Sequence, residues 1–292
     1  MQSNQAVEWS DEQWRRVQQT VLDEAHKARV AARFLPVFGP LPADAETVPA
    51  QSLSTEAGDL LSGPAELRLA VDDHSVIHLT TLSVNVALTT AQANQPDLGS
   101  ALTMFRRAAN IIARVEDAIV FLGQPGRGEG PSLPLPKVYR VGGGAQARGL
   151  LESAAKLKRA AAKSAKEAGK SLVPEVAAGI AELESRGHVG PYALALGNEA
   201  FTAAETPDAN SFVLPSDRIR PMLDGPLLRA GVLPANAALL VSLAGDPVEL
   251  VVAADIAVRF VQVSVEPRYI YRVSERIALR VREASALLTF TV

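Results

Sequence analysis

The sequence predicts an α+β fold. Three observations carry it: unbroken helical periodicity over 105–122, strict apolar alternation in two runs between 67 and 88, and a second alternating stretch at Ile277, Leu279 and Val281. Helical stretches and strand runs fall into separate blocks, as α+β architectures require. The 292 residues allow one large domain or two ordinary ones, and 48% hydrophobic residues supply a full core.

The first helix opens at Ser10. Gln13 sits three residues on, the spacing of a capping box, and Trp14, Val17, Val21 and Ala25 share one face. The helix is expected to end near Arg33, before the extended segment Phe34-Leu-Pro-Val-Phe-Gly-Pro40. Residues 41–65, rich in Pro, Ala, Ser, Thr and Gly, read as linker. Leu67, Leu69 and Val71 alternate, as do Leu82, Val84, Val86 and Leu88, with the polar turn Asp72-Asp73-His74-Ser75 between them. These two runs are expected to pair as a long hairpin arm over 50–90. Such a ribbon is marginal alone, so the arm should lie on something larger.

The long helix follows. Leu102, Phe105, Ala109, Ile112, Val115, Ile119 and Leu122 form one apolar stripe, while Arg106, Arg107, Asn110, Arg114 and Asp117 fall mostly off it. Gly123 before Gln-Pro-Gly stops the helix. Residues 123–145 read as loop, 147–170 as an Ala/Lys-rich helix with a local excess of four positive charges, and 174–186 as a further helix. Ala193–Leu196 is a short buried strand, and 203–218 is loop-like. Leu239–Ser242, Val248–Ala253, Ala257–Val265 and 287–290 are apolar strand candidates.

Composition narrows function. A net charge of −3 argues against a dedicated nucleic-acid binder. With no Cys, disulfides, thiolate catalysis and Cys-held metals are excluded. No run approaches the roughly 18 apolar residues of a membrane span, and the N-terminus lacks a signal-peptide pattern, so a cytoplasmic protein is expected. His26, His74, His78 and His188 lack the spacing of a helical zinc site, and no Gly-x-Ser-x-Gly elbow or phosphate loop is present. No metal, cofactor or catalytic residue is therefore expected. The basic run 156–170 reads as a solvated helix face.

Four blocks carry a resemblance. They are Glu12-Gln13-Trp14 with the exit Arg33-Phe34 to Gly39-Pro40; Val115-Glu-Asp-Ala-Ile-Val-Phe-Leu-Gly123; Gly190-Pro-Tyr-Ala-Leu-Ala-Leu196; and Ala254-Asp-Ile256 through Tyr271 and Arg280-Val-Arg282 to Ala286-Leu-Leu288. In this order and spacing the chain resembles encapsulin shell proteins, also called the linocin family. That resemblance implies a tailed-phage major capsid-like fold with a peripheral domain, an axial domain and an extended arm. The implied boundaries are 1–49 for the N-terminal helix and the start of the peripheral domain, 50–90 for the arm, 91–189 for the spine helix and Ala/Lys insertion, 190–245 for the axial domain, and 246–292 for the return.

The resemblance also implies function: subunits that close into an icosahedral shell around a cargo enzyme held by its C-terminal targeting peptide, typically a dye-decolourising peroxidase or ferritin-like protein. Closure of the smallest such shell needs on the order of 60 copies. By position, Trp14, Val17, Val21, Phe34, Leu35, Asp255 and Ile256 would line the cargo groove, against plain core packing as the alternative. Glu205, Asp208, Asn210 and Ser211 would present polar groups at a pore, against an ordinary solvated loop. No membrane and no specific nucleic acid are expected as partners. The stretch 124–175 is longer than in compact relatives, and Pro36 and Thr89-Thr90 depart from residues common near the groove. The rival functions are a phage or prophage capsid protein packaging DNA, and a hydrolase or bacteriocin-type secreted activity.

Overall fold

The structure, a computed structural model, describes residues 9–57, 67–124, 133–144, 147–157, 172–207, 212–266 and 268–292. Helix α1, Asp11–Ala28, has the expected capping box: Ser10 Oγ accepts from the Gln13 N–H at 3.2 Å, and Gln13 Oε1 accepts from the Ser10 N–H at 2.9 Å. It stops sooner than expected because Arg29 turns extended, and a single 3-10 turn, Ala31–Arg33, follows. Strand β1, Val37–Phe38, then meets a bulged neighbour so closely that a Cβ on Gly39 would lie 2.0 Å from the Val252 carbonyl oxygen. Only glycine fits there.

The arm consists of two antiparallel ribbons. Strand β2, Thr47–Pro49, pairs with β5, Val76–His78, and β3, Ser52–Ala57, pairs with β4, Leu67–Asp72. Asp72 closes the expected turn by accepting from the N–H groups of His74 and Ser75. The expected pairing of the two alternating runs does not form. The second run is β6, Thr80–Thr89, which belongs to the main sheet, and part of the supposed linker is the true partner of β4. Alternation fixes which side chains share a face, not which strand comes alongside.

A short helix α2, Thr90–Ala93, leads into the spine helix α3, Gly99–Leu122. Its first half is amphipathic. From Val115 to Phe121 every residue is buried, Glu116 and Asp117 included, which corrects the placing of Asp117 off the buried stripe. Strand β7, Tyr139–Gly143, occupies what reads as loop; Gly143, at φ +68°, closes on the Leu79 carbonyl. Of the expected helix over 147–170, the described residues 147–157 hold α4, Leu150–Ser153, followed by β8, Ala155–Lys156; residues 158–170 lie outside the described residues. Next come α5 (Leu172–Ser185), β9 (Tyr192–Leu196), α6 (Asn198–Ala204), α7 (Pro215–Leu223), β10 (Leu227–Arg229) and β11 (Ala237–Ser242). The chain closes with β12 (Val248–Val263), β13 (Arg268–Val281) and β14 (Leu287–Thr291).

Two five-stranded sheets result, ordered β1-β12-β13-β6-β7 and β10-β9-β11-β14-β8. The second sheet is covered on both faces. Tyr192, Leu194 and Leu196 of β9 face a core with α5, α6 and α7, while Ala193 and Ala195 join the core around α3. Burial on both faces explains why β9 and β11 read as continuous apolar runs. This lobe is not one segment: α5, β8 and β14 lie outside 190–245 and help to build it.

The arm is fastened at its root. Arg280 and Arg282 of the β13 end share the Glu249 carboxylate, Arg280 donates to the Pro49 carbonyl and lies over the Phe38 ring, and Arg282 reaches Gln51. Gln51 itself is left-handed, at φ +52°.

Candidate functional site

Helix α1 lies across β12 and α3, and the seam so formed is the region to which sequence reasoning assigns the groove. Trp9 precedes the N-cap and Trp14 is the fourth helical residue, so they form a hydrophobic staple with ring centres 5.0 Å apart. Tyr271 of β13 stacks on Trp9 and meets Phe105, Phe260 and Trp14 edge-on, with centres at 5.6–6.0 Å. The Trp9 indole N–H donates to the Ala93 carbonyl at 2.9 Å. The Tyr271 hydroxyl is buried with no hydrogen-bond partner, and burial, aided by Tyr269, pushes its pKa up to about 12.

Gln18 completes the seam. Strand β12 is bulged between Val252 and Ala257, and β1 pairs with it only at Leu250 and Val251. The Gln18 amide stands in for the missing strand: its Nε2 donates to the Ile256 carbonyl at 2.8 Å, and its Oε1 accepts from the Val258 N–H at 3.1 Å. A side-chain amide carries the same donor and acceptor as a peptide group, so it satisfies an edge that would otherwise be open.

Where α1 ends, charge is buried. Arg29 donates to Glu116 at 2.5 Å and to Glu275, and sits 3.4 Å from Asp255. Glu116 and Glu275 are fully buried, and each keeps an Oε1 that no donor of another residue reaches. Burial raises both carboxyl pKa values; the Glu275 charge adds to the rise at Glu116, while Arg29 and a hydrogen bond with Glu116 pull Glu275 the other way. Burial also opposes the charge on Arg29, but the carboxylates of Glu116, Glu275 and Asp255 more than offset it and hold the guanidinium above its ordinary value. Asp117, one residue on, accepts from the Val30 and Ala31 N–H groups at 2.9–3.0 Å. Burial outweighs these bonds and pushes its pKa up to about 7.

The seven groove residues divide sharply. Val17, Val21, Phe34, Leu35 and Ile256 are buried within this chain, whereas Trp14 is half-buried and the Asp255 side chain is 52% exposed. The solvent-facing part of the seam is therefore Trp14, Asp255 and half-buried Phe260. Sequence reading misses Trp9, Gln18, Arg29, Phe260 and Tyr271. Trp9 was findable as the staple partner of Trp14. Gln18 and Tyr271 act through strands distant in sequence and leave no local signal.

Of the four residues expected at a pore, Glu205 follows α6 and pairs with Arg220 at 3.6 Å, while Asp208, Asn210 and Ser211 lie outside the described residues. Phe212 beyond them is fully exposed. Among the described residues no group of His, Asp or Glu is arranged to hold a metal, and no helix is long and apolar enough to cross a membrane.

Comparison with known proteins gives the family and the fold. A family model described as an encapsulating protein for peroxidase matches residues 2–130 and 138–278. The type 1 encapsulin shell protein EncA of Myxococcus xanthus (strain DK1622) is 23% identical over 96% of this chain and 92% of its own length. The virus-like particle of Pyrococcus furiosus superposes with a TM-score of 0.60 at 14% identity, covering 96% of this chain and 99% of that one. The capsid of Myoviridae phage XM1 gives 0.58 at 16% identity over 88% and 89%. The chain belongs to the linocin family of encapsulating shell proteins, the encapsulins, and has the tailed-phage major capsid fold.

Proposed function

We propose that this chain is the subunit of a nanocompartment: many copies, on the order of 60 or more by the closure argument, form an icosahedral shell around a cargo enzyme. The subunit contributes no catalytic residue, and its work is sequestration. The single observation that carries the reading is the family match across both halves of the chain on a capsid fold. The arm supports it, because Leu53, Leu69 and Val71 are 43%, 76% and 52% exposed on a ribbon with no core of its own. Apolar surface of that kind is stabilised by a neighbouring copy.

The cargo is a dye-decolourising peroxidase or a ferritin-like protein, bound through a C-terminal peptide that lies on the α1–β12 seam. Trp14 and Phe260 offer it apolar surface, and Asp255 a negative charge. Burial at about 25 cal/mol per Å² gives each site a modest affinity. Shell symmetry then repeats that site on every subunit. Glu205 and the loop after it line a pore that admits small polar substrates. The compartment works in the cytoplasm, without membrane or specific nucleic acid.

The test is electron microscopy of the protein produced alone and together with a reporter carrying the C-terminal peptide of a peroxidase. Uniform closed particles that retain the reporter, and lose it in Trp14→Ala, support the reading. A soluble monomer overturns the shell, and particles filled with nuclease-protected DNA assign the chain to packaging instead.

A further inference from the structure

The Arg29 node is built for one more proton than its sequence suggests. Glu116 comes from α3 and Glu275 from β13; both are fully buried and only one guanidinium serves them. The other groups facing the node are Asp117 on α3, whose charge is met by the Val30 and Ala31 N–H groups, and Asp255 on β12, half in solvent. On the remaining side, β6 sets Thr81, Leu82 and Ser83 against this part of β13, none of them titratable at ordinary pH. The two carboxyls take neighbouring nitrogens of the same guanidinium, Nε for Glu116 and Nη2 for Glu275, which sets them side by side; a hydrogen bond between them exists only if one of them carries a proton. Two fully buried carboxyls that share one guanidinium cannot both stay ionised.

We propose that Glu116 and Glu275 share one proton through the neutral range, and that this proton locks helix α1 to the sheet and is released on alkalinisation to loosen it. The coupling is mechanical. Arg29 is the C-cap of α1, and its N–H closes the last helical turn on the Ala25 carbonyl. When hydroxide removes the shared proton, the O–H···O bond between the carboxyls is lost, two carboxylates repel across the guanidinium, and the node reduces that repulsion by admitting water. Water enters where α1 meets β12, because Asp255 already opens the node to solvent on that side. The seam that Trp14 and Gln18 build then opens from its C-terminal end. The inference stands on the geometry of this chain and holds whether or not a cargo docks there.

The experiment is amide hydrogen exchange over residues 11–28 in the purified particle, from about pH 6 to about pH 10, after correction for the base-catalysed intrinsic rate. In the wild type, protection of α1 is expected to fall by up to about tenfold per pH unit as pH rises toward the release point and to level off above it, as one-proton linkage requires. In Glu275→Gln the amide N–H₂ replaces the shared O–H permanently, and the step is expected to vanish; Glu116→Gln should do the same from the other side. Asp117→Asn separates the neighbouring carboxyl, and the step is expected to persist in it. A flat wild-type profile, the wild-type step retained in Glu275→Gln, or its loss in Asp117→Asn would each overturn the proposal. Infrared spectroscopy of the wild type gives an answer that needs no variant. A protonated-carboxyl carbonyl band present at neutral pH and lost with α1 protection supports the lock, and its absence at neutral pH refutes it.

Discussion

Trp9 lies flat on Tyr271, with ring centres 4.6 Å apart and planes 5° from parallel. The residue that precedes the N-cap of α1 is thereby fastened to the first third of β13, more than 260 positions away in the chain. Trp9→Ala removes a large buried ring and the bond to Ala93, and is expected to cost about 3–5 kcal/mol. Trp9→Phe keeps a ring on Tyr271 and loses the hydrogen bond, at about 1 kcal/mol. Urea unfolding followed by tryptophan fluorescence of Trp14 measures both. Equal midpoints for the two variants would show that the stack carries nothing.

Arg29→Met removes the only guanidinium among the described residues that touches Glu116 and Glu275. Breaking a buried pair from one side costs about 3–5 kcal/mol, because the stranded charge has no partner. The stranded carboxyls escape that cost by taking up protons, so the loss in thermal stability is expected to be larger near pH 8 than near pH 5. A loss that grows toward acid would mean that the arginine, not the acids, was the costly partner.

The wording that carries the family resemblance, Val115-Glu-Asp-Ala-Ile-Val-Phe121, has a physical reading in these contacts. Its two acids are the partners of Arg29 and of the two amides after it. Sequence periodicity finds the helix but puts Asp117 off the buried stripe, since a lone acid reads as a surface residue. Local chemistry was legible elsewhere too: the capping box at Ser10 and the polar turn at Asp72 both form. Long-range choices were not. Nothing local says that 52–57 pairs with 67–72 while 80–89 joins the main sheet, or that Tyr139–Gly143 is an edge strand despite its glycines. The seven residues assigned to a groove fall along one seam, marked by the apolar positions of α1, but five of them are buried in the chain's own core.

Asp117 gives stability a pH dependence of definite sign. Burial raises its pKa from 3.8 to about 7 against the pull of three N–H contacts. A raised folded pKa means that the contribution is complete below the unfolded value and lost as pH rises through the folded one. Unfolding free energy is expected to fall by a few kcal/mol between about pH 4 and about pH 8. Asp117→Asn should flatten that slope while keeping one acceptor for the Val30 and Ala31 amides. Denaturant titrations at several pH values check it, and stability that climbs across this window in the wild type would contradict the assignment.

Gln18→Leu tests the claim that a side chain completes the sheet edge. The substitution keeps the apolar stem and removes both bonds to β12, leaving the Ile256 carbonyl and the Val258 N–H to find water. The expected cost is about 1–3 kcal/mol. Faster amide exchange at Val258, with exchange in β6 unchanged, locates the effect. Unchanged protection at Val258 would show that the amide is incidental to the edge.

The arm separates folding from assembly. Leu53 and Val71 are a cross-strand pair, and Leu69 lies two residues along the same face, so the three make one apolar strip. None of them joins the chain's own core clusters. Leu69→Glu is therefore expected to leave unfolding of the isolated subunit within about 0.5 kcal/mol of wild type, as for surface substitutions. In a shell the same change buries a carboxylate where a leucine contributed about 1.5–3 kcal/mol, and it does so at every arm. Closed particles should give way to monomers and small oligomers on size exclusion, with circular dichroism unaltered. If Leu69→Glu still closes into particles, the strip faces solvent in the assembly. The arm would then be held at its root, by Arg280 and Arg282 and by the packing of Val48 and Ile77 against Val251 and Ala253.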